Sequence, residues 1–438
     1  MNKKEKLCEQ YTEEYISDSM IVSIRAKDFG CGTGFFVREN LIATNIHCVA
    51  GATSVSAKLL ESNTEYVVEG VAAYDALNDL VILKVEGQGT PFPIYNSDLV
   101  EKGEAVKAIG CPYGKYMTSE GKFHRTLSNE QWLLTTAKTN DGYSGGPLLN
   151  SKGRVIGINF GSGKYYSGAI SSNILKDLLS QMHTIEPLAQ WQKKQQISAY
   201  DYLAKSKGKI QTKNYDDAIT DLDKTIQRNP DYIIAYINRG DAEMALAKSK
   251  FREDCLVEAQ KLNQSAIDDF TEAIRLCPDF LESLNGRGIV TSRLGKLKIE
   301  EDDLTEAQQL LLDAINDFSQ AICLYPDHAP AYNNRADAKL NLGKIEEKMG
   351  KIQTAQDLYQ NAIIDINGAI EKHINNPIEE DQDAALFHHL RGVIKEVMGD
   401  LHGAIGDFKE TMKNNEYTDN STVFVDLERV KEAFEDTQ

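Results

Sequence analysis

Asp141-Gly142-Tyr143-Ser144-Gly145-Gly146-Pro147 sets a single serine in a frame of glycines. A serine hydroxyl is a weak nucleophile. It needs a base to take its proton and donors for the negative charge that develops on the attacked carbonyl. Gly142 can take a positive φ at little cost, which lets its N–H and that of Ser144 converge on one point. Gly145, Gly146 and Pro147 then lead into the apolar pair Leu148-Leu149. Taken alone, the segment can equally be a glycine-rich turn carrying a chance serine, so the decision rests on what else the chain supplies.

Two further segments supply partners. His47 lies in Leu41-Ile42-Ala43-Thr44-Asn45-Ile46-His47-Cys48-Val49-Ala50, where a β-rich apolar run gives way to small residues, so the imidazole is expected where a strand meets a turn. Asp79 opens the apolar strand Leu80-Val81-Ile82-Leu83-Lys84-Val85 after Tyr74-Asp75-Ala76-Leu77-Asn78. An unpaired carboxylate at the mouth of such a strand would be costly, and a buried histidine partner removes that cost.

Residues 17 to about 180 resemble the trypsin-like serine proteases, and within them the HtrA/Deg branch. Gly32-Thr33-Gly34-Phe35-Phe36-Val37 is similar to that branch's GSGF strand, and Thr44-Asn45-Ile46-His47 to its TNxH segment. Asn78-Asp79-Leu80-Val81-Ile82-Leu83-Lys84-Val85 resembles its DLAVLKV strand, and Ala108-Ile109-Gly110-Cys111-Pro112-Tyr113-Gly114 its GNPFG turn. Gly153-Arg154-Val155-Ile156-Gly157-Ile158-Asn159 and Gly168-Ala169-Ile170 match the strands after the nucleophile. The order His47, Asp79, Ser144 is that of the chymotrypsin fold.

The resemblance implies two six-stranded antiparallel β-barrels with the site between them, and peptide hydrolysis through an acyl-enzyme. It makes Ser144 the nucleophile, His47 the general base and then acid, and Asp79 the group that orients the imidazole. Gly142 and Ser144 become the oxyanion donors. It places the specificity pocket around Lys138, Tyr143, Asn159, Phe160 and Gly161.

Two residues depart from the family pattern. Tyr143 stands where the HtrA branch has a small polar residue and digestive trypsins an Asp, so a freed N-terminus would find no carboxylate there. Lys138 occupies the register of the pocket floor where trypsins carry Asp, which argues against cleavage after Lys or Arg. The pocket then suits either an acidic side chain or, if the lysine snorkels to solvent, a small aliphatic one.

From about Ile197 the pattern turns helical, after a polar connector expected at 186–196. Ala218-Ile219, Ala266-Ile267, Ala314-Ile315 and Ala362-Ile363 recur in steps of 48 residues, which signals a solenoid. Asn238-Arg239-Gly240, Gly286-Arg287-Gly288, Asn334-Arg335-Ala336 and Leu390-Arg391-Gly392 recur beside them, with Pro230, Pro278 and Pro326 ending units. These look like tetratricopeptide repeats, about five over 197–420, followed by a capping helix at 421–438.

The usual unit is about 34 residues. Here the small residue of the first helix precedes the Ala of the second by 26 residues in three repeats, and by 12 from Gly392 to Ala404. The difference implies about seven extra residues in each helix, close to two turns, which keeps the buried face in register. Gly350 then falls in the turn of the fourth repeat. The recurring Arg239, Arg287 and Arg335 with Asp269, Asp317 and Asp365 can form a ligand ladder, but recurrence in every unit favours structural ion pairs. The resemblance puts Asn238 and Asn334 on the concave groove, where an amide can bond a peptide backbone.

At 438 residues the chain can hold two or three full cores. Its net charge of −18 is uneven: residues 1–200 carry about −1 and the rest about −17, which argues against a nucleic-acid or acidic-membrane partner. Met1-Asn2-Lys3-Lys4-Glu5-Lys6-Leu7 leads into no apolar signal core and no membrane-length run follows, so a cytosolic location is expected. The seven cysteines, scattered and odd in number, read as reduced thiols, and no metal or cofactor motif is present.

The expected protein is multidomain. A double β-barrel peptidase spans 1–185, and an all-α solenoid with lengthened helices recruits a protein substrate or an activating partner. Such an architecture suggests regulated cleavage in bacterial stress or defence, including an accessory role beside CRISPR-type systems, by analogy alone. The alternative is a silent protease fold that assembles a complex through its repeats, and a further possibility is a latent enzyme whose loop from Asp141 to Tyr143 rests collapsed.

Overall fold

The apolar runs around His47 and after Asp79 lie side by side, which explains why neither alternates cleanly in polarity. The computed structural model describes residues 20–27, 30–60, 62, 64–128, 131–162, 166–182, 184–375, 382–413 and 421–436. The N-terminal stretch with Cys8, and the last two residues of the expected capping helix, lie outside the described residues.

Six strands, β1 (Ile21–Ala26), β2 (Gly30–Arg38), β3 (Leu41–Asn45), β4 (Val55–Leu59), β5 (Glu65–Asp75) and β6 (Leu80–Val85), close into a barrel in the order β1-β2-β3-β6-β5-β4. A second barrel is built from β7 (Ala105–Gly110), β8 (Met117–Thr126), β9 (Trp132–Thr135), β10 (Pro147–Asn150), β11 (Val155–Ser162) and β12 (Ser167–Ser171). Read from β7, its order β7-β8-β9-β12-β11-β10 repeats the topology of the first. The pairings are antiparallel, with Thr44 opposite Val81 and Asn45 opposite Leu80. That register sets the segments before His47 and after Asp79 next to each other.

Strand alternation shares the side chains of the first barrel between two cores. Ile42, Val81 and Leu83 pack in a cluster that also holds Trp191, Ile197, Tyr200 and Leu203. Their neighbours Leu41, Ala43, Leu80 and Ile82 join Ile109, Leu149 and Ile158 of the second barrel. Both faces are therefore buried, at about 1.5–3 kcal/mol for each fully buried Leu, Ile or Val.

Helix α1 (Ser172–Ser180) follows β12, and then come α2 (Leu188–Trp191), α3 (Gln195–Gln211) and α4 (Tyr215–Arg228). The segment expected as a connector is packed: Glu186 bridges Val71, and Trp191 is fully buried. One large aromatic among polar neighbours, together with the backbone bridge at Glu186, anchors it. Residues up to Arg239, in the first turns of α5 (Ile233–Arg252), belong to one compact unit with the barrels.

From Gly240 a second compact unit begins. It continues with α6 (Leu256–Leu276), α7 (Leu281–Glu300), α8 (Leu304–Leu324), α9 (Ala329–Lys348), α10 (Ile352–Asn375), α11 (Gln382–Val397), α12 (Leu401–Lys413) and α13 (Ser421–Asp436). Helices α6 to α9 run 20 or 21 residues, against 13 for α12.

Arg287 forks onto Asp317 at 2.7 and 2.8 Å and Arg335 onto Asp365 at 2.6 and 2.8 Å, each pair 30 residues apart, whereas Arg391 reaches Asp407 across 16. The difference of 14 is absorbed as whole turns, so the same ion pair forms in long and short repeats. These aspartates are nearly fully buried, and a buried carboxylate needs such a partner. Gly288 and Gly392 lie under the rings of Phe318 and Phe408, where an added Cβ would come within 2.7 Å. Gly350 sits in the turn between α9 and α10 with φ +77°. Helix α13 covers the end, with Val423, Leu427 and Val430 on Ala404 and Phe408.

Candidate active site

Asp79 sits between β5 and β6 with φ +54°, a left-handed conformation that costs a non-glycine residue about 1 kcal/mol or more. The turn before it is held from within. The carboxylate of Asp75 accepts from the N–H groups of Leu77 (3.0 Å) and Asn78 (3.1 Å) and from the Asn78 amide (2.7 Å). The Asp79 carbonyl accepts from Ile46 N–H (3.1 Å) and the Asn45 amide (2.9 Å), which locks the turn to the end of β3. Asn45, within the TNxH motif, is thereby a residue that fixes the loop.

Residues 46–48 form a 3-10 turn that presents His47. Asp79 grips it twice: Oδ1 accepts from the His47 backbone N–H at 2.9 Å, and Oδ2 makes a short contact with ring Nδ1. With Nδ1 committed, Nε2 is the nitrogen left for a nucleophile. The carboxylate is almost fully buried, whereas the imidazole keeps about 20% of its surface exposed. Burial disfavours the charged imidazole, but the Asp79 carboxylate outweighs it, aided by Cys48, and pushes the His47 pKa from 6.5 up to about 10.

The serine loop hangs on one residue of the first barrel. Thr33, fully buried in β2, donates its N–H to Ser144 O at 2.9 Å and its hydroxyl to Gly142 O at 2.6 Å. The same hydroxyl accepts from Cys111 N–H at 2.8 Å, and Thr44 Oγ1 donates to Thr33 O at 2.7 Å. Cys48 Sγ lies 3.6 Å from Ser144 O, which brings the histidine turn against the serine turn.

Gly142 (φ +98°) and Gly145 (φ +83°) take positive φ in two successive turns. The N–H groups of Tyr143, Gly145 and Gly146 are taken by Asn140 O (3.1 Å), Asn159 O (2.8 Å) and Tyr143 O (2.9 Å). Among the described residues, no backbone acceptor takes the N–H of Gly142 or of Ser144. The two donors expected for an oxyanion are thus among the N–H groups of the loop that no described backbone acceptor takes.

The glycine and threonine roles can be tested by substitution. A Cβ at position 145 would lie 2.1 Å from Thr33 O and 2.2 Å from Thr44 Oγ1, with a backbone that an L side chain resists. Gly145→Ala is expected to lower the thermal midpoint and to cost about 2 kcal/mol or more. Thr33→Val keeps the shape and removes the donor to Gly142 O. We expect turnover to fall about 10- to 100-fold with little change in KM, because a misplaced oxyanion donor is felt in the transition state. Steady-state kinetics and a thermal melt decide both.

The residues expected around a specificity pocket separate into two groups. Lys138 is exposed, and Thr139 beside it donates through Oγ1 to Gly161 O at 3.4 Å, so the 138–139 segment and Gly161 share an edge. Phe160 tilts onto Trp132 with ring centroids 4.8 Å apart. Tyr143 turns inward, buried in the core of the second barrel over Gly110, whose missing Cβ leaves room for the ring. Asn159 also turns inward, with Nδ2 on the carbonyls of Ile109 (3.3 Å) and Pro147 (3.2 Å). Residue order alone does not tell an inward strand position from an outward one near a bulge, and β11 shifts register between Asn159 and Gly161.

Asn238 falls in the first compact unit and Asn334 in the second, where Asn334 donates to Asn285 Oδ1 at 3.2 Å. Among the described residues, no group of three or more His, Cys, Asp or Glu is placed to hold a metal ion. Nor is any described helix long and apolar enough to cross a membrane.

Residues 32–158 match the model of a family described as the trypsin-like peptidase domain. The chain therefore carries such a domain. Its relatives are HtrA/DegP-like serine proteases. A Synechocystis protein named serine protease HhoB is 32% identical over 163 residues, which is 34% of this chain and 38% of that one. A DegP-like protein of Hahella chejuensis, named as a periplasmic serine endoprotease, is 34% identical over 166 residues, 34% of this chain and 35% of that one. The chain thus spans little more than a third of these curated relatives. Among solved structures, the active form of the Rv3671c protease from M. tuberculosis aligns with a TM-score of 0.36 at 21% identity, over 39% of this chain and 84% of that one.

One expectation is corrected here. The N-terminal sequence suggested a cytosolic chain, but the DegP-like relatives of Hahella chejuensis and Chlamydia trachomatis are named periplasmic, which overturns that reading. A polar N-terminus says what the first residues are, not where the folded domain works.

Proposed function

We propose that this chain is a serine endopeptidase in which Ser144 attacks, His47 transfers protons and Asp79 orients His47. The observation that carries the reading is a joint one. Asp79 commits Nδ1 of His47, while the adjoining glycine loop leaves open the N–H groups of Gly142 and Ser144.

In the first step Ser144 Oγ bonds to the carbonyl carbon of the substrate peptide and its proton passes to His47 Nε2. The oxyanion is held by the two open N–H groups. As the C–N bond breaks, His47 gives its proton to the departing amine, leaving an acyl ester on Ser144. Water then repeats the sequence, freeing the acid and the serine. Asp79 stays ionised throughout and stabilises the imidazolium.

The repeats, read as tetratricopeptide-like, would recruit a protein substrate or an activating partner, with Asn238 and Asn334 as groove contacts, in regulated bacterial proteolysis. Exposed Lys138 supports cleavage after small aliphatic or acidic residues rather than basic ones.

A fluorophosphonate probe tests the central claim on the intact chain. Covalent labelling at Ser144 is the expected result, and a peptide library should show no preference for Lys or Arg before the cut. A folded chain that takes no label, even with its partner present, would support the silent scaffold instead.

A further inference from the structure

The loop that carries Asp79 is gripped from a second side by residues far outside the trypsin-like segment. Tyr200 of α3 donates its hydroxyl to Ala76 O at 2.7 Å, and Asn229, at the end of α4, donates its amide to the same oxygen at 3.0 Å. Both lone pairs of one carbonyl, three residues before Asp79, are thus taken by two helices. Tyr200 and Asn229 are buried, and the ring of Tyr232 packs 5.1 Å from that of Tyr200. Burial holds the Tyr200 phenol well above its ordinary pKa, with the Asp79 charge adding to it, so the hydroxyl stays a neutral donor.

The turn after His47 is held in the same way. Gln192 accepts from Gly51 N–H at 2.7 Å through Oε1 and donates through Nε2 to Val49 O at 2.7 Å and Ala52 O at 3.5 Å. Apolar contacts alone would dock these helices on the barrel. Yet their polar groups converge on the two short loops that carry the histidine and the aspartate. Asp79 adopts a left-handed backbone that persists only where its surroundings over-determine it.

We propose that Tyr200, Asn229 and Gln192 are positioning residues of the active site, so that the first helices are a working part of the peptidase rather than a tether. The proposal rests on the reading of the site given above. It acts through Asp79 and His47 and requires none of the three residues to touch substrate. A shift of about 1 Å in a supporting loop can cost roughly 100-fold in rate, so two lost bonds on Ala76 O should be visible in turnover.

The test uses the full chain and three variants: Tyr200→Phe, the double variant Tyr200→Phe with Asn229→Ala, and Thr225→Val. Thr225 is buried in α4 and bonds Ala199 O at 3.3 Å, so its loss disturbs the helices without touching the loop. Two readouts are taken: the rate of fluorophosphonate labelling, with kcat and KM on a peptide, and the low-field proton resonance of the His47–Asp79 bond.

The expected result is that the double variant labels about tenfold or more slowly, with kcat reduced and KM unchanged. Its low-field resonance should weaken, and Tyr200→Phe, which removes a single atom, should show a smaller effect in the same direction. Thr225→Val should keep the parent's labelling rate and resonance. A folded double variant with both readouts at the parent's values would overturn the proposal, as would equal losses in Thr225→Val. If the parent itself takes no label, the peptidase reading fails, while the resonance still decides whether these residues position His47 and Asp79. If the double variant does not fold, Tyr200→Phe decides alone.

Discussion

Ser144→Ala is expected to reduce peptide cleavage by about 10⁴-fold or more and to abolish covalent labelling, while leaving the fold in place. The size of the effect follows from how the site is built. In the mechanism proposed above, His47 and Asp79 serve to move a proton off Ser144 Oγ and back to a leaving group, so without the hydroxyl neither contributes. What remains is water activation beside an intact oxyanion site, which still accelerates hydrolysis weakly.

The fold should survive because the loop is fixed through its backbone: Ser144 O accepts from Thr33 N–H, and Gly145 N–H reaches Asn159 O. The measurement pairs a cleavage assay with a thermal melt. Loss of activity with an unchanged melt supports the assignment. Retained cleavage at more than a few per cent of the parent's rate would remove Ser144 from the nucleophile's role. The alanine protein should also hold substrates without cutting them, so a pull-down with it tests whether a protein substrate is bound at all.

The parts of this architecture that depend on local composition were legible in the chain. The histidine, aspartate and serine segments each carry a strand or a turn whose residue types are dictated by backbone geometry, and β3 and β6 then pair in a register that joins two of them. The 48-residue period is likewise a packing requirement written into sequence, since the Ala, Phe and Gly positions recur wherever helices touch. Helices of 20 or 21 residues where shorter ones are usual follow from that spacing.

What could not be read was orientation and long-range contact. The family resemblance put Tyr143 and Asn159 at the pocket, yet both turn into the second barrel, Tyr143 from the loop before β10 and Asn159 from β11. Thr33 looked like one small residue of a glycine-rich strand, but its hydroxyl spans 109 residues of chain to hold Gly142. Trp191, Gln192 and Tyr200 lay in a stretch whose polarity suggested a connector and the start of a repeat. The polar partners of Gln192 and Tyr200 are loops 124 to 143 residues earlier, and no local pattern encodes such a pairing.

Asp79→Asn is the second large effect expected, a fall in the plateau kcat of about 10⁴-fold with little loss of fold. An asparagine keeps the volume and can still meet the His47 ring, but its amide favours the tautomer in which Nε2 carries the proton and cannot accept one from Ser144. The pH dependence separates this from simple damage. His47 acts as base only when neutral, so the rising limb of kcat/KM follows its pKa. In the parent that pKa is raised above 6.5, to about 10, by the Asp79 charge working against burial, so activity should climb on the alkaline side of neutrality.

With the charge removed, burial acts unopposed by Asp79 and the limb should move to lower pH even as the plateau falls. Stability must change in the matching sense. A group whose folded pKa is raised contributes stability that is fully present below its unfolded value of 6.5 and is lost as pH rises through about 10. The parent should therefore exceed Asp79→Asn in stability most clearly below pH 6.5, and the gap should narrow as the solution becomes alkaline. A rate profile and a series of melts across pH check both halves. If the limb in Asp79→Asn stays where the parent's lies, Asp79 does not set the charge of His47, and its role would reduce to holding the loop in place.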